Sequence, residues 1–135
     1  MSNPYQKYKA TSIQSASKEK LLLMLYEGAI KFCKKAVIAI ENGDIAARGE
    51  NVSRAYDIVL ELMNTLDHKV GGEIAANLEQ LYMFITDELT QANINNDVNR
   101  LNNAIRILTT LYDGWKQAIE QLKKNETKKA SSSGG

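Results

Sequence analysis

The only proline of this chain is Pro4, so nothing after the fourth residue carries the side chain that most forcefully interrupts a helix. Beyond it, apolar residues recur at three- and four-residue spacing with no strand-like alternation, and the expected fold class is all-α. Caps and glycines divide the chain into four helices. The first starts after Ser17, with Glu19 near the positive end of its dipole, and ends near Asn42-Gly43. Asp44 caps a second, which carries Ile45, Val52, Val59, Leu62, Met63 and Leu66 and is expected to reach about Lys69, where Gly71-Gly72 stops it. The third presents Ile74, Leu78, Leu81, Ile85, Leu89 and Ala92 and ends in Asn93-Ile94-Asn95-Asn96, and Asp97 caps the fourth. Similar lengths and short connections allow only antiparallel neighbours, hence an up-down-up-down four-helix bundle over 17–124.

The chain has 135 residues, 44% hydrophobic and 24% charged, enough for one domain with one core. Lys+Arg 17 against Asp+Glu 16 gives a formal charge of +1, without the basic excess a nucleic-acid binder needs. A single cysteine, Cys33, permits no internal disulfide. No secretory signal is visible, and no apolar run is long enough to insert in a membrane, so a cytoplasmic protein is expected. Residues 125–135 turn basic and Ser/Gly-rich, as a disordered tail would.

No catalytic constellation stands out, and neither enzymatic activity nor a cofactor is expected. His68 is the sole histidine, and Thr65 precedes it by three residues where a bundle di-metal site needs glutamate. Placed in the last turn of the second helix, His68 suits the negative helix end better than phosphotransfer. Cys33 lacks zinc-ligand partners and suits a small core position. Gly71-Gly72 lacks the strand and lysine of a phosphate loop.

What the chain has instead is surplus apolar surface. Leu21-Leu22-Leu23-Met24-Leu25-Tyr26 leaves no polar face on the first helix; Leu21, Leu25 and Gly28 fit the inner seam, Leu22 and Tyr26 a flank, Leu23 a position farther out. On the fourth helix, Val98, Leu101, Ile105, Leu108, Tyr112, Trp115, Ile119 and Leu122 form an a/d seam. Beside it runs a second line, Ala104, Ile107, Leu111, Gly114 and Ala118, which serves either the close approach of a neighbouring helix or a groove for a partner helix. On the third helix Tyr82, Met83 and Phe84 add to the surplus. A binding surface for another polypeptide is therefore expected around Ile107, Leu111, Ala104, Gly114, Tyr82, Leu22 and Tyr26. A self-associating bundle would cover the same surface. Residues 1–16 contain Tyr5, Tyr8 and Ile13, large anchors that suit a reversible cover more than an unanchored tail.

The chain resembles the flagellar export chaperones of the FliS type. The likeness reaches about Leu122 and rests on Asn3-Pro4-Tyr5, on Leu21-x-x-Met24-Leu25-Tyr26-x-Gly28-Ala29 and on Glu41-x-Gly43-Asp44. It continues through Gly71-Gly72-Glu73-Ile74-Ala75-x-Asn77-Leu78-x-x-Leu81-Tyr82, Gln91-Ala92-Asn93-x-x-Asn96-Asp97 and Trp115-Lys116-Gln117-Ala118. Lys18 departs from the pattern, standing where many relatives have proline, and a helix start tolerates it. The resemblance implies a cytosolic protein that binds the disordered C-terminal segment of flagellin, prevents premature polymerisation and hands its client to the export gate. It also implies that the N-terminal segment covers a hydrophobic pocket until flagellin arrives, giving Tyr5, and more loosely Tyr8, the covering role. The free protein is expected to be a monomer or a weak homo-oligomer.

Overall fold

A computed structural model describes residues 17–133, with side chains as far as Lys128. Four helices follow one another: α1 (Lys18–Glu41), α2 (Ile45–Asn64), α3 (His68–Asn95) and α4 (Val98–Ser133). Each packs on its sequential neighbour, and α4 closes the ring against α1, while the diagonal backbones stay apart. This is the antiparallel four-helix bundle the spacing predicts.

The boundaries follow from side chains that satisfy backbone groups at helix ends. Ser17 Oγ accepts from the Lys20 N–H at 3.2 Å, and Asp44 Oδ1 from the Ala47 N–H at 3.0 Å. Gly43 takes φ +70°, the left-handed turn that lets α1 end and α2 begin at once. Asn96 does the same after α3, with φ 57°. Asp97 Oδ1 then accepts from the Asn99 N–H at 3.0 Å.

The second connection departs from expectation. α2 stops at Asn64, five residues short of Lys69, because Asp67 caps the next helix by accepting from the N–H groups of Lys69 and Val70 at 3.0 and 3.1 Å. Gly71-Gly72, expected to separate two helices, instead lies inside α3, where Gly72 (φ 52°, ψ −122°) kinks it. His68 therefore opens α3 rather than closing α2, and the dipole argument for it fails. Its Nε2 lies 2.8 Å from Glu79 Oε2, a polar contact across the kink. At the far end α4 runs on to Ser133, through the stretch expected to be tail. Lys, Glu and Ala over 123–130 are strong helix formers, and this extension is exposed through Lys128.

The core alternates small and large residues. α1 contributes Tyr26, Ala29, Cys33 and Ala36; α2 contributes Val52, Ala55, Val59 and Leu62; α3 contributes Tyr82, Ile85, Leu89 and Ala92; α4 contributes Leu101, Ala104 and Leu108. The alanines bring α1 close to its neighbours, and at Gly28 an added Cβ would lie 3.2 Å from Ile58 Cδ1. Three stripes are shifted from those expected. On α1 the innermost residue of the opening run is Tyr26, wholly buried, while Leu21 and Leu25 are only half-buried. On α3, Ala75 and Tyr82 face inward and Ile74 and Leu81 are exposed. On α4, Ala104 joins the core and Leu122 lies open.

Polar partners explain the shift. A buried tyrosine needs something to bind its hydroxyl, and Tyr26 and Tyr82 bind each other across the diagonal. Thr86 is buried because its Oγ1 donates to the Met83 carbonyl at 2.8 Å. Glu88, 5% exposed, accepts from Arg100 Nη1 at 2.8 Å and Asn103 Nδ2 at 2.9 Å. Apart from the Thr86 bond, which stays within α3, these pairings cannot be read from one helix alone.

Candidate partner-binding surface

The two ends of the bundle differ. Where α1 and α3 finish and α2 and α4 begin, Arg48 Nε donates to Asn93 Oδ1 at 3.0 Å and its Nη1 to Asn96 Oδ1 at 2.6 Å. That end is tied shut. At the opposite end an apolar cavity of about 550 Å³ opens between the start of α1, the α2–α3 connection, the first turns of α3 and Trp115 of α4. Leu21, Leu22 and Leu25 form one wall, and Leu66, Val70, Ile74 and Leu78 the other. Lys18, Glu19 and Asp67 also border it. The opening run of α1 thus has two duties. Tyr26 fills the core, and the leucines before it line the cavity.

Tyr82 and Trp115 reach the cavity from the core side. Trp115 Nε1 donates to Tyr26 Oη at 3.2 Å, and Tyr26 and Tyr82 share a hydrogen bond, so three aromatic residues from three helices form one polar chain. Burial pushes both tyrosine pKa values up; the hydrogen bonds shared with Tyr82 and Trp115 partly offset this at Tyr26, whereas the bond shared with Tyr26 adds to it at Tyr82.

A second apolar feature lies along α3 and α4. Glu88 with Arg100 and Asn103 fixes the register of these antiparallel helices. From that pin Phe84 and Leu81 continue along α3, and Ile107, Leu111 and Gly114 along α4, at helical spacing. Phe84 and Leu81 are exposed, Ile107 and Leu111 half-buried against the core, and Gly114 exposed. Between α1 and α4 a third, charged groove holds Lys31, Lys34 and Lys35 with Ile30 and Ile38. There Tyr112 donates to Glu27 Oε1 at 2.7 Å, and that carboxylate raises the Tyr112 pKa.

Of the residues singled out from sequence, Leu22 lines the cavity and Ile107, Leu111 and Gly114 share the α3–α4 face. Tyr26 and Ala104 are wholly buried, and so present no surface; a flank position for Tyr26 is incorrect. Tyr82 is buried at the cavity's inner side. Tyr5 and Tyr8 fall outside the described residues. Leu66, Val70 and Leu78 escaped notice as cavity residues. A signal existed, since Leu66, Val70, Ile74 and Leu78 repeat every four residues straight through the glycine pair, as one continuous apolar line would.

The sequence pattern of the family described as "Flagellar protein FliS" matches residues 1–122. The flagellar secretion chaperone FliS of Bacillus subtilis is 38% identical over 123 residues, 91% of each chain. That of Campylobacter jejuni is 39% identical over 113 residues, covering 84% of this chain and 88% of its own. The Salmonella typhimurium protein of the same name is 37% identical over 108 residues, 79% of this chain and 80% of its own. With an antiparallel helical bundle, an apolar cavity at one end and an apolar face along its side, this chain belongs to the FliS family.

Proposed function

We propose that the chain is a flagellin export chaperone. It binds the disordered C-terminal segment of flagellin in the cytoplasm, keeps it from polymerising early and delivers it to an export-gate component of the flagellar secretion apparatus. The observation that carries this reading is the cavity walled by Leu22, Leu25, Leu66 and Leu78, apolar surface that the four helices leave open. A soluble monomer gains nothing by exposing such a surface unless something covers it. Together with Phe84, Ile107 and Leu111 it gives two separate apolar sites, suited to a client that wraps the bundle and folds as it binds. The client's ordering cost calls for a large covered area, and no chemistry on the client is required.

The start of α1 lies at the rim of the cavity, since Lys18 and Glu19 both border it. This supports a covering role for Tyr5, with Tyr8 beside it, in the client-free protein. No described helix is long and apolar enough to cross a membrane. Isothermal calorimetry with a flagellin C-terminal peptide tests the reading: a one-to-one complex is expected, formed from a monomer by light scattering. Failure of the peptide to bind, or a stable homo-oligomer that buries the same faces, would sink it.

A further inference from the structure

The aromatic chain beside the cavity has one hydrogen too many. Trp115 Nε1–H, Tyr26 O–H and Tyr82 O–H carry three polar hydrogens, and their two hydrogen bonds use two. No other hydrogen-bond partner of these groups occurs among the described residues. The indole can only donate, so Tyr26 Oη accepts from it. Were Tyr82 then to donate to Tyr26, the spare hydrogen would be stranded on Tyr26, wholly buried and not part of the cavity lining. That arrangement leaves a buried donor unmet and is costly. The opposite direction runs Trp115 to Tyr26 to Tyr82 and leaves the spare hydrogen on Tyr82, which is 1% exposed but is one of the residues lining the cavity. Each donation also polarises the next hydroxyl, which makes Tyr82 the better donor.

We propose that the Tyr82 hydroxyl is a specificity-determining donor, and that the peptide segment occupying the cavity places a neutral carbonyl oxygen against it. The proposal rests on the chaperone reading above. The leucine and valine walls call for apolar residues on either side of that carbonyl. A carboxylate fits poorly, because one neutral donor cannot offset its desolvation and Glu19 and Asp67 outnumber Lys18 at the border of the cavity. Carbonyls within a helix are already bonded. The acceptor therefore belongs to the last turn of a client helix, to extended backbone, or to an Asn or Gln side chain.

Calorimetry on the full chain with a synthetic flagellin C-terminal peptide, beside thermal unfolding of each variant, tests this. Tyr82→Phe keeps the ring and removes the donor, and should weaken binding roughly five- to tenfold. Tyr26→Phe leaves the Tyr82 hydrogen in place, and should cost roughly threefold or less. Wild-type affinity in Tyr82→Phe, or equal losses in both variants, overturns the proposal while leaving the chaperone reading intact. If the wild type itself does not bind, both fall. Should Tyr82→Phe not fold, the deuterium isotope shift on Tyr82 Cζ of the wild type reports hydroxyl exchange. Peptide binding should slow that exchange, and an unchanged rate overturns the proposal.

Discussion

The two ends of this bundle solve the same problem in opposite ways. At the Arg48 end, one guanidinium bonds two asparagines at the close of α3, and Asp97 both caps α4 and lies 3.6 Å from Arg100 Nε. Polar groups there leave no room for an apolar partner. At the cavity end the leucines of α1 and those around the α2–α3 connection face a space the helices do not fill. The middle of the bundle is packed and one end is pinned, while the other end leaves apolar surface uncovered. A chaperone needs both, because a surface adapted to a disordered client must be held by a scaffold that does not itself yield.

The largest effect expected from breaking this division is in the scaffold. Leu89 is wholly buried, and Leu89→Ala should cost about 2–5 kcal/mol in denaturant unfolding while the folded fraction still binds client normally. A parallel loss of client affinity in that folded fraction would mean that scaffold and surface are not separable. Next comes the α3–α4 face. Leu111→Asp or Ile107→Asp should weaken client binding about tenfold or more, with helicity largely kept, since both side chains are only half-buried. A fall of many degrees in thermal unfolding would place them in the core instead.

Alkaline pH probes the buried centre. Burial pushes the Cys33 thiol up to about 12 from an ordinary 9.0, so between those values the unfolded chain releases a proton that the native chain keeps. This contribution to stability is full below pH 9 and is lost as pH rises towards 12, and the raised Tyr26 and Tyr82 act in the same direction. Unfolding midpoints measured from pH 7 to 11 should fall beyond about 9, and Cys33 should resist alkylation until the bundle unfolds. A flat profile would mean the centre admits water. The smallest effect belongs to the pinned end: Arg48→Ala should cost about 1 kcal/mol and leave client affinity unchanged. A change in affinity there would contradict a client that avoids this end.

Much of the fold was legible because its signals are local. Ser17, Asp44 and Asp97 cap helices through bonds to residues two or three positions ahead, and Gly43 meets a turn that any reader of the sequence can place. The second connection was misread where two local signals competed. Gly71-Gly72 marked a stop, but the Asp67 cap started the helix earlier and left Gly72 as a kink within it. The site was less legible. Ile107, Leu111 and Leu22 could be singled out as surplus, but Tyr26, Tyr82 and Ala104 looked equally available and are buried.

The sequence alone determined that the chain makes four helices, where three of their four starts lie, that they pack antiparallel, and which family pattern they carry. Periodicity and capping act over a few residues, so they survive without any knowledge of neighbours. Only the tertiary structure decided which side of each helix is inside. That choice turned on bonds between residues far apart in sequence, Tyr26 with Tyr82 and Glu88 with Arg100, which allow polar side chains to be buried. Once those were buried, Leu22 and Leu25 were left to line a cavity, and one end of the bundle stayed open.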